Sequence, residues 1–195
     1  MTTTEPLTGH VYNAAEQQDL SGTMFPIDRE LVGARCEVEG EIPAGLSGWY
    51  VRNGPNPMFE PIGKYHMFDG DGMLHGVEFA DGTATYTNRW VRSRGLEAEM
   101  RLGKAAYPGL SDVMNFPDAS IVGDAGPVKN PSNTHIVRHA GKLLSLWEQG
   151  VPTEIAPDLS TVGEWNFDGK LEGAMTAHPR IDPRTGEMFF FSYNL

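Results

Sequence analysis

Two-residue turn signals between short apolar runs limit what this chain can fold into more than any other feature. Asp81-Gly82 separates Gly76 to Phe79 from Ala84 to Val91, and Ala140-Gly141 separates His135 to Arg138 from Leu143 to Trp147. The glycine in each turn tolerates positive φ, so the flanking runs read as antiparallel hairpins. Trp165 to Phe167 meets Asp168-Gly169 in the same way, and Ile155 to Val162 forms a looser unit. With 23 glycines and 14 prolines in 195 residues, turns recur too often for long helices. The predicted class is all-β. No strict sequence repeat is visible, but hairpin units recurring about every 30 to 50 residues are compatible with the blades of a β-propeller.

One stretch breaks the pattern. From Gly95 to Tyr107 the apolar residues Leu96, Met100 and Tyr107 fall near one helical face, with Glu97, Glu99, Arg101 and Lys104 largely elsewhere, which predicts a short amphipathic helix. Residues 1–45 read as a polar approach segment with one strand-like run, Leu31 to Val38, and residues 46–195 as the blade-forming part. The run Met188 to Tyr193 is an apolar strand with no following partner. An unpaired edge this hydrophobic is a poor terminus, so the chain reads as the front part of a longer protein.

Charge and composition exclude several function classes. The formal net charge of −11, from 26 acidic against 15 basic residues, repels phosphate backbones, so nucleic acid is not expected as a partner. No apolar run approaches the roughly 18 to 20 residues needed to span a bilayer, and Met1 to Leu20 lacks a basic start and an apolar segment. A cytoplasmic location is the expectation. Cys36 is the single cysteine, so no internal disulfide or thiolate cage can form; its setting predicts an inert buried thiol.

Four segments carry chemical interest. Trp49 to Pro57 is a strand ending in a rigid double-proline turn, where Arg52 could anchor an inner carboxylate. His66 to His75 encloses Asp69 and Asp71. A calcium loop would need an oxygen ligand where Met73 stands and an acid where Ala80 stands, so that reading fails. Glu148 closes the apolar run Leu143 to Trp147, and its carboxylate is either at the solvent end of that strand or buried with a designated partner. Finally, Thr176-Ala177-His178-Pro179 runs into the tight turn Asp182 to Glu187. An imidazole on a rigid backbone before a turn is one way a fold presents a metal ligand.

The motifs WYVRNGPNP (49–57), FDGDGMLH (68–75), NTHIVRHAGKLLSLWEQG (133–150) and TAHPRIDPRTGE (176–187) stand in the order and approximate spacing of the carotenoid cleavage oxygenases. The chain resembles that family from about Gly40 to Leu195. The resemblance implies a seven-bladed β-propeller, of which this chain would supply the N-terminal blades. It further implies a ferrous iron, Fe(2+), on the central axis held by four histidines. His178 matches the first of these in chain order, and the others would lie beyond residue 195. Glu148 matches a carboxylate that accepts the ring N–H of a metal-bound histidine. This reverses the solvent-end reading, with its partner expected beyond Leu195 rather than at His178. His10, His66, His75, His135 and His139 match no ligand position.

The activity so implied is oxidative cleavage of a conjugated carbon–carbon double bond by dioxygen, giving two carbonyl products. Its partners would be O2 and an apolar carotenoid, apocarotenoid or stilbenoid, with peripheral membrane contact left open. Neutral imidazoles suit iron(II), and carboxylates behind them fix ring orientation. Lys129 could meet a phenolate in a stilbenoid pocket, but an exposed turn lysine is the simpler reading. With one ligand of four, the chain alone is expected to be inactive. Two alternatives stand beside this reading: a non-catalytic propeller piece acting as a binding module, and the isomerohydrolase chemistry of the family's retinoid branch.

Overall fold

A computed structural model of the chain describes residues 18–192. Its first sheet contains β1 (Leu31–Arg35), β2 (Gly48–Pro55), β3 (Gly72–Ala80) and β4 (Thr83–Trp90) in the order β1-β4-β3-β2, every pair antiparallel. The second is a plain meander of β5 (His135–His139), β6 (Lys142–Leu146), β7 (Thr153–Ile155) and β8 (Thr161–Glu164). A third unit opens with the pair β9 (Arg180–Ile181) and β10 (Met188–Phe189). Successive four-stranded antiparallel sheets are the blades of a β-propeller.

The turn chemistry acts as the sequence predicts. Asp81 and Gly82 take φ of 49° and 71°, and Ala140 and Gly141 take 47° and 81°, so both central residues of each hairpin are left-handed. The Asp168-Gly169 expectation is corrected. Phe167, Asp168 and Gly169 all have positive φ, which coils the chain instead of extending it, and Trp165 to Phe167 is not a strand. Strand β10 also stops at Phe189, and β1 at Arg35, although the Cys36 N–H still donates to Ala84 O at 2.9 Å. Cys36 itself is half-buried, not buried. By pairing with β4, β1 joins the first sheet even though its sequence lies in the approach segment.

Alternation along each strand builds the core in layers. Leu143 and Ile136 face Leu74, Val91, Ile155 and Leu159 between the first two sheets. Their neighbours Leu144, Leu146 and Val137 turn the other way, against Met175, Ala177 and Met188 of the third unit. The second sheet is therefore apolar on both faces, each fully buried leucine contributing about 1.5–3 kcal/mol.

Polar groups fix how the sheets meet. Gly72 N–H donates to Pro131 O at 2.8 Å, and a side chain on Gly72 would run into the Ser132 carbonyl. From β2, the Asn53 amide donates to Ser132 O and Ser145 Oγ, both at 2.9 Å. Asn133 returns the favour in the other direction, donating to Phe68 O at 2.8 Å and Gly70 O at 2.6 Å. The Asn-rich motifs are thus the joint between blades.

Helix α1 (Arg94–Leu102) is the predicted amphipathic helix, started by the Ser93 side chain and stopped by Gly103 at φ 76°. It lays Leu96 and Met100 on Met58, Phe59, Met73 and Trp90, and it ends before Tyr107. A second helix, α2 (Ala119–Val122), is a single turn capped by Asp118. Glu99 overturns its place on the polar face: it is buried, accepting the Ala106 N–H at 2.8 Å. Lys129 is likewise no exposed turn residue. Its ammonium lies 2.5 Å from both Asp71 and Glu99, with 13% of the side chain accessible. Burial opposes that charge, but the two carboxylates outweigh it and hold the lysine protonated.

Removing the lysine strands two buried carboxylates. Lys129→Ala should therefore cost about 3–5 kcal/mol of unfolding free energy, measured by denaturant titration. A loss near the ~1 kcal/mol of a surface pair would contradict the buried assignment.

Candidate metal centre

The segment leading to His178 is held from both sides. Met175 N–H donates to Gly150 O at 3.2 Å, and Thr176 N–H donates to Phe191 O at 3.0 Å. Met175, Thr176, Ala177 and Pro179 are buried, whereas 64% of the His178 side chain is accessible. A ring thus projects from a backbone held by hydrogen bonds and flanked by buried residues. Pro179 adds to this by restricting the residue before it to extended conformations.

Glu148 arrives from the turn after β6, where Gly150 N–H closes on Trp147 O at 3.3 Å. Gly150 leaves no space for a side chain, because Asn130 packs 2.5 Å from where a Cβ would sit. Asn130 in turn donates to Val151 O at 2.9 Å, pinning the exit of the turn. The Glu148 side chain is 34% accessible, a partly enclosed carboxylate and not a solvated one.

The two predicted site residues meet. Glu148 Oε1 lies 3.2 Å from His178 Nε2, and Glu148 Oε2 accepts the Thr176 hydroxyl at 2.9 Å. Both carboxylate oxygens are engaged by the same short segment. Within this chain the partner of the Glu148 carboxylate is His178.

Two residues join the site that the sequence reading had not placed there. Thr176 anchors Glu148, and the His135 ring lies with its centroid 6.0 Å from that of His178, tilted by 33°. Burial, then the nearby His178 and Arg180, lower the His135 pKa and favour its neutral form. The signal for His135 was present: a two-residue turn at Ala140-Gly141 fixes the register that pairs His135 with Leu146, two positions from Glu148.

The remaining named residues are elsewhere. His66 caps its own turn, accepting the Phe68 N–H at 3.2 Å, and His139 Nε2 contacts Gly186 O at 3.1 Å. His75 Nδ1 lies 2.6 Å from the Tyr86 hydroxyl. His10 lies outside the described residues. Asp69 and Asp71 accept backbone N–H groups of Leu110 and Met58, at 2.9 and 3.0 Å, as structural braces.

His178 and Glu148 alone do not make a coordination set. Among the described residues no group of three His, Cys, Asp or Glu side chains could hold a metal ion. His178 fits the role of one donor only. Nor is any helix of the described residues long and apolar enough to cross a membrane.

Comparisons with known proteins give the class to which these successive sheets belong. Residues 24–195 match the RPE65 family, described as retinal pigment epithelial membrane protein. The chain belongs to this family, the carotenoid cleavage oxygenases. It is 42% identical to a carotenoid cleavage oxygenase of Mycobacterium tuberculosis, covering 93% of this chain and 34% of that protein. It is 38% identical to a probable chloroplastic carotenoid cleavage dioxygenase 4 of Arabidopsis thaliana, covering 89% and 32%. The crystal structure of Pseudomonas brassicacearum lignostilbene dioxygenase superimposes with a TM-score of 0.81 at 34% identity, over 90% of this chain and 36% of that one. Cobalt-substituted Synechocystis ACO gives 0.66 at 33% identity, over 81% and 34%. The chain spans about a third of the length of the curated relatives it matches.

His75 provides a pH test of these placements. Burial first, and the Arg52 guanidinium second, lower its pKa from 6.5 to about 4. The folded chain then binds fewer protons than the unfolded chain between those values. His75 therefore favours folding fully above pH 6.5, and this contribution declines as pH falls toward about 4. NMR titration of the 195-residue chain should find the ring still neutral at about pH 5; protonation near 6.5 would contradict its burial.

Proposed function

We propose that this chain forms part of an iron(II)-dependent dioxygenase that cleaves a conjugated carbon–carbon double bond of a carotenoid, apocarotenoid or stilbenoid into two carbonyl products. The observation that carries the reading is the contact between Glu148, in the turn after β6, and His178, just before β9. His178 is one metal ligand in this reading, and the remaining histidines belong to sequence outside these residues. Ferrous iron, when bound, would supply the dioxygen chemistry.

The chain's own residues supply rigidity and orientation. Thr176 holds the Glu148 carboxylate, Glu148 orients an imidazole N–H, and the buried residues flanking His178 fix where its ring emerges. A carboxylate beside neutral imidazoles also offsets part of the charge of a divalent cation. The relatives' names support the reaction class: they describe carotenoid cleavage and a lignostilbene dioxygenase. A cobalt-substituted relative supports metal use. Lys129, locked between Asp71 and Glu99, is not free to meet a phenolate. A cytoplasmic location is part of the same proposal.

With a single imidazole proposed as a ligand, the 195-residue chain alone should bind iron weakly and be inactive. In the complete protein, His178→Ala should abolish both iron retention and conversion of a polyene or stilbene to aldehydes. Iron content equal to wild type in that variant would refute the ligand role.

A further inference from the structure

The first sheet has a second face that the site does not use. Val51, Leu74 and their neighbours cover the face against the second sheet. On the opposite face the register sets Tyr50 beside Val77 and Val77 beside Tyr86, with Arg52 beside His75 in the next row. Together with Ile27 these residues line a cavity of about 250 Å³. Asn56 holds Ile27 above the sheet by two backbone contacts, its Oδ1 accepting the Ile27 N–H at 2.8 Å and its Nδ2 donating to Ile27 O at 2.9 Å.

The chemistry of this face is that of a carboxylate receptor. Arg52 is exposed, and among the described residues no carboxylate pairs with it, in a chain whose net charge is −11. Beside it, in the tautomer whose Nδ1 accepts the Tyr86 hydroxyl proton, the His75 ring keeps its own proton on Nε2. A guanidinium and an imidazole N–H side by side offer donors and no acceptor, the complement of a carboxylate. The rim is apolar, with Tyr50 63% and Ile27 37% exposed, so a free ion in water is a poor match.

We propose that this face of the first sheet docks a neighbouring blade of the same protein, from sequence outside these 195 residues, and that this blade presents an Asp or Glu side chain to Arg52 and His75. The occupant is chosen on two grounds. Every blade of a closed propeller packs between two others, and among the described residues the second sheet is the one sheet packed against the first, while α1 covers only its Met73 and Trp90 end. The chain also covers only 36% of the similar lignostilbene dioxygenase structure, which leaves further blades to come from elsewhere. The inference rests on the propeller reading above, not on the metal chemistry.

The sample for the test is the complete protein. Its structure should show a carboxylate from outside residues 1–195 hydrogen-bonded to the Arg52 guanidinium across the Tyr50 and Tyr86 face. Bulk water at Arg52, a small anion alone, or a carboxylate from within residues 1–195 would each overturn the proposal. A double-mutant cycle gives a second readout. Arg52→Gln and neutralisation of the partner acid should each lower Tm, and combining them should lower it no further than the worse single change; additive losses would also overturn it. Iron content separates the two readings, because the docking variants keep it, whereas failure of the proposed function appears as a wild-type protein without metal.

Discussion

The side-chain amide of Asn53, reaching from the first sheet to Ser132 and Ser145 of the second, is the contact on which the arrangement depends. Hydrophobic burial drives the sheets together but is indifferent to a small slide between them. A buried amide with defined acceptors is not, since a shift leaves polar groups unpaired at about 1–3 kcal/mol each. Ser132 multiplies the constraint by sharing its hydroxyl with Ser145 and Thr153, at 3.0 Å each. That fixes β6, and the turn after β6 carries Glu148. The same network that joins the blades therefore sets where the carboxylate of the site stands.

The site itself is a problem in presenting a mobile side chain from an immobile place. His178 is exposed over most of its ring, yet its backbone lies between buried residues and is tied to Gly150 and Phe191 by the hydrogen bonds of Met175 and Thr176. Glu148 and Thr176 then reduce the freedom left to the ring. Holding a donor in this way lowers the entropy lost when it engages a ligand. The Lys129, Asp71 and Glu99 cluster does similar work at a distance from the site. It ties α1 and the segment before β5 to the turn that precedes β3, where a charge on any one of them would be costly alone.

What the sequence could reveal followed the range of the interaction. Asp81-Gly82 and Ala140-Gly141 were legible because a two-residue turn is decided by its own backbone. Helix α1 was legible from its apolar stripe, but Glu99 was misplaced because the lysine that satisfies it lies 30 residues away. Asp168-Gly169 misled for a local reason: a third consecutive residue, Phe167, also takes positive φ at 56°, and an extended strand cannot continue through it. His178 and Glu148 were picked out by their motifs; their contact with each other was not, because it depends on how Met175 pairs with Gly150. His135 stood between these cases, since its closeness to Glu148 could have been counted from the hairpin register.

The central claim is that the His178 ring is a ligand to a bound metal and not merely the partner of Glu148. Anomalous diffraction at the iron edge from crystals of the complete protein tests it most directly. The account predicts an anomalous peak bonded to the His178 ring, with Glu148 beside the site and not in the coordination sphere. A peak held entirely by other residues, with the His178 ring turned toward solvent, would contradict it.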